Sequence, residues 1–386
     1  MNYVDIVTGR RYPSDVPRWQ SDDGNGVDLE PGPGITRDRI DPSRRSLWRY
    51  AAAMAVPYEG AVTLGEGWTP LLPKAWQGVD LLWKLEYVMP TGSFKDRGMT
   101  AMVSYLRQHG IKDVLEDSSG NAGASLSTYA AAAGMRCRIM VPATASYPKI
   151  AQMAAHGADV VAVSGTRQDV ADAALREAST MFYASHNRQP YFLEGTKTLA
   201  YELWEQLGFR LPDNVIVPVG YGANVLGCER GFAELVRAGE TDRMPRIFGV
   251  QAANVSPLAQ AFVEGLEDYK DIVPVPTLAE GIAAQRPTRG RAILQAVRES
   301  GGRILSVGED EIVSALRTLA GMGFYVEPTC ASVGAALGHL IDAGDIRAGE
   351  TTVAVLTGTG LKASEMIGKA LGLSARTLDP HAAPRK

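Results

Sequence analysis

Beyond about residue 80, short apolar runs alternate with segments of helical spacing, and glycine-rich turns separate many of them. The apolar runs predict buried strands at residues 81–86, 138–141, 159–163, 214–219, 246–250 and 352–356. Helices are predicted at 95–109, 148–156 and 225–238, with an alanine-rich helix ending at 133. This alternation predicts an α/β fold of open, mostly parallel sheets with helices on both faces. At 386 residues the chain exceeds one typical core, so we expect two such domains.

The first 45 residues are rich in Asp, Gly, Pro and Arg and show little apolar periodicity. They predict an irregular arm with a short hairpin between residues 7 and 28, followed by a helix at 43–55. At the other end, residues 380–386 are expected to fray.

Composition argues against several classes of function. The net charge is −4 with no basic run, so neither a nucleic acid nor an anionic membrane is expected as a partner. No apolar stretch reaches the roughly 18–20 residues that span a bilayer, and the start lacks a secretion signal. The three cysteines, Cys137, Cys228 and Cys330, are spaced too widely for a disulfide framework or a zinc set. We therefore expect a reduced, cytoplasmic protein.

Lys95 lies between a Gly-Ser turn and a predicted helix. A lysine held there, partly desolvated and directed into a pocket, has a lowered pKa and forms a Schiff base readily with an aldehyde cofactor. The alternative is a solvated lysine at a helix start.

Glycine-rich turns follow several predicted strands. Residues 220–224 (Gly-Tyr-Gly-Ala-Asn) precede a helix, where free backbone N–H groups favour a phosphate. They do not form the dinucleotide fingerprint, and a simple tight turn is the alternative. Residues 118–123 form a second small-residue loop suited to a carboxylate, with Asn121 able to meet a cofactor oxygen. Thr357 begins a turn at the end of the last strand, where open α/β sheets bind ligands. Helix caps are the alternative for both.

Together these segments resemble the fold-type-II pyridoxal-phosphate enzymes, and within them the threonine synthase family. The resemblance runs from residue 64 to about 372 and is carried by residues 67–71, 84–86, 90–98, 118–125, 220–224, 327–331 and 356–362. The run at 90–98, Pro-Thr-Gly-Ser-Phe-Lys-Asp-Arg-Gly, is highly specific. On this basis we predict a large cofactor-binding domain at 46–98 and 191–386, a small mobile domain at 99–190, and a homodimer.

The resemblance also implies residue roles. Lys95 would hold pyridoxal 5′-phosphate as a Schiff base and then remove the Cα proton of an amino-acid substrate. Asn121 would meet the 3′-oxygen of the cofactor and Thr357 its ring nitrogen. The other cofactor-binding residues implied are Phe94, Gly220, Tyr221, Gly222, Ala223 and Asn224. The residues implied at the substrate are Ser118, Ser119, Gly120, Ala122 and Phe192. A hydroxyl at the ring nitrogen gives a weaker electron sink than a carboxylate, which suits elimination and replacement better than transamination.

The sequence departs from the family pattern in three ways. Residues 8–13 and 19–24 look like a zinc ribbon that has lost its cysteines, so residues 1–30 are expected to bind no zinc. Phe192 stands where the family has an arginine that grips the phosphate of O-phosphohomoserine, and an aromatic ring cannot replace that cation. Ala122, His186 and Asn187 also differ from the residues common in threonine synthases. We therefore expect that O-phosphohomoserine is not the substrate.

The predicted function is a pyridoxal-phosphate-dependent lyase that eliminates or replaces the β or γ substituent of an amino acid. Three alternatives stay open: a true threonine synthase, an amino-acid racemase that uses Ser119, and a non-catalytic cofactor-binding paralogue. Phe192 would form an apolar wall for the substrate, with milder polarity from His186 and Arg188. Two further features are ambiguous. The arginines at 286, 289 and 291 suggest either a solvated loop or a site for an acidic side chain, and Cys330 suggests a buried filler near the ring.

Overall fold

The computed structural model describes residues 1–145, 147–165 and 167–373, so the fraying expected at 380–386 falls outside these ranges. The described residues contain these strands: β1 (Asn2–Asp5), β2 (Arg11–Pro13), β3 (Val27–Leu29), β4 (Leu71–Pro73), β5 (Leu82–Leu85), β6 (Asp113–Glu116), β7 (Arg136–Pro142), β8 (Asp159–Val163), β9 (Phe182–Tyr183), β10 (Asn214–Pro218), β11 (Arg246–Ala252), β12 (Ile304–Val307) and β13 (Thr352–Leu356).

The described residues also contain α-helices and shorter 3₁₀ helices. The α-helices are α1 (Lys95–Gln108), α2 (Asn121–Ala133), α3 (Tyr147–Ala155), α4 (Arg167–Glu177), α5 (Tyr191–Thr196), α6 (Thr198–Gln206), α7 (Ala223–Arg237), α8 (Pro257–Val263), α9 (Gly290–Glu299), α10 (Glu309–Gly321), α11 (Pro328–Asp342) and α12 (Ser364–Leu371). The 3₁₀ helices are Arg37–Arg39, Leu47–Ala53, Glu86–Val88, Glu280–Ile282 and Gly360–Ala363. Over the same ranges, no helix combines the length and apolarity needed to cross a membrane.

The larger sheet has six strands in the order β12-β11-β10-β13-β5-β4, parallel except for the β4–β5 edge pair. Its central strands are apolar on both faces. In β10, Val215 and Val217 pack into the core that contains residues of α6 and α7, whereas Ile216 packs with residues of α10 and α11. A strand with this pattern needs helices on both sides, as parallel sheets generally do. The strands predicted at 214–219, 246–250 and 352–356 are confirmed with small changes of boundary.

The smaller sheet has four parallel strands in the order β8-β7-β6-β9. Val114 and Ile139 share a core with residues of α2, while Leu115 and Met140 pack on the opposite side with residues of α4. Both sheets are therefore covered on two faces, and the predicted α/β class is confirmed.

The N-terminal arm is more ordered than the sequence suggests. Strands β1, β2 and β3 form a small antiparallel sheet in the order β2-β1-β3. Tyr3 is fully buried, and its hydroxyl donates to the Tyr105 hydroxyl of α1 at 2.8 Å. Asp28 forms an ion pair with Arg230 of α7. Most of the arm is irregular, as predicted, but the hairpin expected between residues 7 and 28 is replaced by pairing of β1 with both β2 and β3. A few buried residues, too sparse to give a periodic signal, anchor the arm to the body of the protein.

The helix expected at 43–55 was also wrong in type. The structure has a 3₁₀ helix at Leu47–Ala53, interrupted by the non-helical backbone of Tyr50. The segment's packing requirements override its helical spacing: Leu47, Trp48 and Tyr50 are all fully buried.

Candidate active site

A cavity of about 310 Å³ lies where the two parallel sheets meet. It opens at the carboxyl ends of β6, β10 and β13, since the loops that follow these strands all contribute to its lining. Carboxyl ends of parallel strands are the usual place for a ligand in open α/β sheets. The lining contains Phe94, Lys95, Ser118, Ser119, Gly120, Asn121, Ala122, Gly220, Tyr221, Gly222, Ala223, Asn224 and Thr357. The fold thus brings together every predicted site residue except Phe192.

Lys95 is the first residue of α1, and its side chain lines the cavity. Its Nζ lies 4.6 Å from the centre of the Phe94 ring and 5.7 Å from that of Phe192. Burial lowers the pKa of Lys95 to about 8, although the carboxylates of Glu116 and Glu327 act in the opposite direction. An amine with this pKa is substantially neutral in mildly alkaline solution, as a nucleophile must be.

The turn that presents Lys95 is tied to its surroundings on two sides. The Phe94 N–H donates to the Thr357 carbonyl at 2.9 Å, which joins the turn to the end of β13. Asp96 accepts hydrogen bonds from the Thr91 N–H at 2.7 Å and from the Ser125 hydroxyl of α2 at 2.6 Å. Burial raises the pKa of Asp96 to about 6, with these hydrogen bonds opposing the rise.

A buried network of charged side chains includes Arg97 in the first turn of α1. The Arg97 guanidinium donates to Glu86 at 2.6 Å and to Glu202 at 2.9 Å, and Lys84 Nζ lies 2.5 Å from Glu202. All four side chains are inaccessible to solvent. Two positive and two negative groups balance one another, which is what allows charges to be buried at this depth.

The loop at 220–224 has the geometry of a phosphate site. Gly222 is the residue before α7 and adopts the left-handed conformation with φ of 82°. A Cβ at Gly222 would lie 2.2 Å from Ile293 Cδ1, so a side chain there would have to displace Ile293 as well as adopt a strained backbone conformation. The first N–H groups of α7 have no partner within the helix and point out of its N-terminus. This cradle therefore fits the phosphate of pyridoxal 5′-phosphate.

The loop at 118–122 leads into α2, with Gly120 as the residue before the helix. Asn121 Nδ2 donates to both carboxylate oxygens of Glu327 at 3.1 Å, and Lys362 Nζ donates to Asn121 Oδ1 at 3.3 Å. Burial raises the pKa of Glu327 above the ordinary value for a carboxyl group. No role was predicted for Glu327 from the sequence, although its position just before the proline that starts α11 is a signal for a helix-start carboxylate.

Thr357 lines the cavity at the end of β13 and is almost fully buried. Its hydroxyl lies 3.3 Å from Cys330 Sγ, which also accepts from the Gly358 N–H at 2.9 Å. Burial raises the pKa of the Cys330 thiol to about 12, so this side chain packs behind Thr357 as an unreactive group.

The predicted substrate subsite is only partly assembled. His186 and Asn187 line the cavity, but Phe192 is fully buried behind it, 5.5 Å from the His186 ring. Phe192 therefore shapes the site from behind the lining side chains and is not a wall of the cavity. Arginines 286, 289 and 291 pair with carboxylates at 271, 28 and 267 and do not line the cavity. Of the two interpretations of that cluster, the structure supports the one without a ligand role.

This fold and cavity define an α/β enzyme that holds a phosphorylated aldehyde cofactor between two parallel sheets. The family model described as "Pyridoxal-phosphate dependent enzyme" matches residues 62–358, and the chain belongs to this family. It is a fold-type-II enzyme, and its cofactor is pyridoxal 5′-phosphate.

Curated relatives place the chain near the threonine synthases. It is 36% identical over 340 residues to the threonine synthase of Methanocaldococcus jannaschii, covering 85% of this chain and 83% of that protein. It is 37% identical over 311 residues to the threonine synthase of a Synechocystis species, covering 78% of each.

Solved structures give a second group of neighbours. The T.th. threonine deaminase superposes with a TM-score of 0.64 at 27% identity, over 75% of this chain and 92% of that one. Tomato (Solanum lycopersicum) threonine deaminase isoform 2 superposes with a TM-score of 0.69 at 23% identity, over 91% of this chain and 98% of that one, which supports the fold alone.

Proposed function

We propose that this enzyme is a lyase that removes an uncharged β substituent, with loss of ammonia, from a small hydroxy amino acid, and that it does not use O-phosphohomoserine. The observation that carries the proposal is the charge of the cavity lining. β-Replacement by a second nucleophile is a close variant of the same reaction.

Over the described residues, the lining offers no free cation for a second phosphate. Its charged side chains there include Lys95, Lys149, Glu280 and Glu327, and no arginine is among them. Lys149 Nζ is 2.8 Å from a Glu280 oxygen, so its charge is already neutralised. The glycine cradle suits the phosphate of the cofactor, and a dianionic substrate would face the Glu327 side chain and an already paired Lys149. Binding a dianionic substrate without a charged partner would cost about 2–5 kcal/mol, the range for removing one partner of a buried charge pair.

The cofactor, when bound, supplies an electron sink for the bonds at the substrate Cα. Lys95 holds the cofactor, and its Nζ is the base that accepts the Cα proton, a role suited to its pKa of about 8. The N–H groups at the start of α2, together with Ser118 and Ser119, receive the substrate carboxylate. Thr357 would meet the ring nitrogen of the cofactor, and a neutral hydroxyl in that role would favour loss of a leaving group over transamination. Movement of residues 99–190 toward the large domain would exclude water.

Threonine synthase is the second candidate, because the curated relatives at 36–37% identity carry that name. The two candidates differ in substrate charge and in product. Threonine synthesis consumes a phosphorylated amino acid and releases phosphate, whereas ammonia-lyase activity consumes a hydroxy amino acid and releases a 2-oxo acid.

The test is a set of steady-state assays on the cofactor-loaded protein with L-serine, L-threonine and O-phospho-L-homoserine. Formation of 2-oxo acid from a hydroxy amino acid, with negligible phosphate release, is the expected result. Efficient release of phosphate with threonine formation would overturn the proposal. Lys95→Ala is the control, since it should abolish turnover and the covalent attachment of cofactor. The homodimer and the cytoplasmic location remain predictions, and sedimentation of the purified protein tests the first.

A further inference from the structure

A histidine–carboxylate pair forms part of the cavity wall. His186 Nδ1 lies 2.5 Å from Glu116 Oε1, and the His186 backbone N–H donates to the same oxygen at 3.2 Å. Glu116 is the last residue of β6 and is fully buried, while His186 lines the cavity. The backbone contact and the side-chain contact together hold the imidazole in one orientation relative to the carboxylate.

Neighbouring rings restrict the imidazole further. The Phe192 ring packs edge-on against it with centroids 5.5 Å apart, and the Tyr221 ring does so at 6.3 Å. Because Nδ1 is directed at Glu116, Nε2 is the nitrogen turned away from the carboxylate. A carboxylate at Nδ1 selects the tautomer and stabilises the protonated ring, as in other histidine acid–base pairs.

The pair is close to the parts of the cavity that would bind an amino acid. Strand β6 ends at Glu116 and runs directly into the 118–122 loop, which is suited to the substrate carboxylate. Lys95 Nζ and the His186 ring contact the same Phe192 ring. The Glu116 charge is also near enough to act on Lys95, whose pKa it raises against the effect of burial. Lys95, the 118–122 loop and His186 thus line one cavity, so a substrate with its carboxylate on the loop and its Cα at Lys95 has its Cβ substituent in the same cavity as the imidazole.

We propose that His186 is the general acid that protonates the departing hydroxyl of the substrate, with Glu116 as its positioning residue. The inference deepens the proposed lyase function and rests on it. As Lys95 Nζ takes the Cα proton, the electron pair left at Cα forms the Cα=Cβ double bond. The Cβ–O bond breaks with its electron pair leaving on the oxygen, and that oxygen takes the proton from Nε2 to leave as water. His186 is left neutral, still donating from Nδ1 to Glu116, and it regains its proton from solvent.

The test compares two substrates that differ in their leaving group. Hydroxide needs a proton to depart, whereas chloride does not, so L-serine depends on the acid and β-chloro-L-alanine does not. General acid catalysis contributes about 10²–10⁴-fold. His186→Gln is therefore expected to lower kcat/KM for L-serine by about 100-fold or more, and for β-chloro-L-alanine by less than about tenfold. Glu116→Gln, which keeps an acceptor but removes the charge, should show the same selectivity with a smaller loss.

His339→Gln is the matched control, because His339 Nε2 pairs with Glu311 at 2.6 Å on the surface, where both side chains are about half exposed. It should leave both substrates unaffected. Cofactor content and the melting temperature establish that each variant is folded and loaded. An equal loss on the two substrates in both cavity variants would overturn the acid role while leaving the lyase function intact. If the wild-type enzyme eliminated from neither substrate, both the acid role of His186 and the lyase function would be overturned.

Discussion

Replacing Glu202 by glutamine is expected to destabilise the protein by about 3–5 kcal/mol, the cost of removing one partner from a buried ion pair. The Glu202 carboxylate accepts from Lys84 at 2.5 Å, from two nitrogens of Arg97 at 2.9 Å, and from the N–H groups of Trp68 and Thr69 at 2.8 Å. The positive charges of Lys84 and Arg97 hold its pKa well below the ordinary range, against the effect of burial.

The substitution keeps the size of the side chain but leaves two buried cations facing the single carboxylate of Glu86. At an unfolding entropy of about 2.1 cal/mol/K per residue, the lost free energy lowers the melting temperature by about 4–6 °C for a chain of this length. Calorimetry of the cofactor-loaded protein measures the shift.

Two comparisons sharpen the measurement. Asp271→Asn breaks the pair with Arg286, in which both side chains are about two-thirds exposed, and should change stability by less than about 0.5 kcal/mol. The double variant Lys84→Met/Glu202→Gln leaves Arg97 paired with Glu86, so it should lose less than the sum of the two single variants. A Glu202→Gln protein with the same melting temperature as the wild type would refute the reasoning. A double variant that lost as much free energy of unfolding as the two single variants together would also refute it.

Three further predictions concern Lys95 and the glycine cradle. Uptake of pyridoxal phosphate by the apoprotein, followed by absorbance, should accelerate as pH rises through about 8, because burial lowers the pKa of Lys95 from 10.5. The unfolded chain then binds more protons than the native apoprotein between about pH 8 and 10.5, so stability should rise with pH across that window, and Lys95→Met should remove this contribution. A rate that keeps climbing well beyond pH 10 would contradict the lowered pKa. Gly222→Ala should weaken cofactor binding, measured by equilibrium dialysis, because the added Cβ meets Ile293 at 2.2 Å. Gly239→Ala is the control, since Gly239 has a similar φ of 77° but no atom within 4 Å of the added Cβ, and it should bind the cofactor as the wild type does. Equal affinities of the two variants would contradict a role of the 220–224 loop in cofactor binding.

Much of the cavity lining could be predicted from local sequence. The turn before Lys95, the glycines of the 220–224 loop and the strand that ends at Thr357 are short segments whose conformations depend on their own residues. Glycine at a left-handed position and apolar runs at strand spacing carry this information without reference to the rest of the chain. The sequence predicted a short hairpin in the N-terminal arm but not its three-stranded sheet, because the strands have only three or four residues each.

By itself, the sequence determined the α/β class, the lysine and the two glycine-containing turns that line the cavity, since each depends on residues that are neighbours along the chain. Only the tertiary structure decided which charges meet. Asn121 reaches Glu327 across 206 positions, Arg97 reaches Glu202 across 105, and Glu116 reaches His186 across 70. Contacts of this kind follow from how the two sheets and their helices pack, and no local pattern records which distant side chain will complete a buried pair.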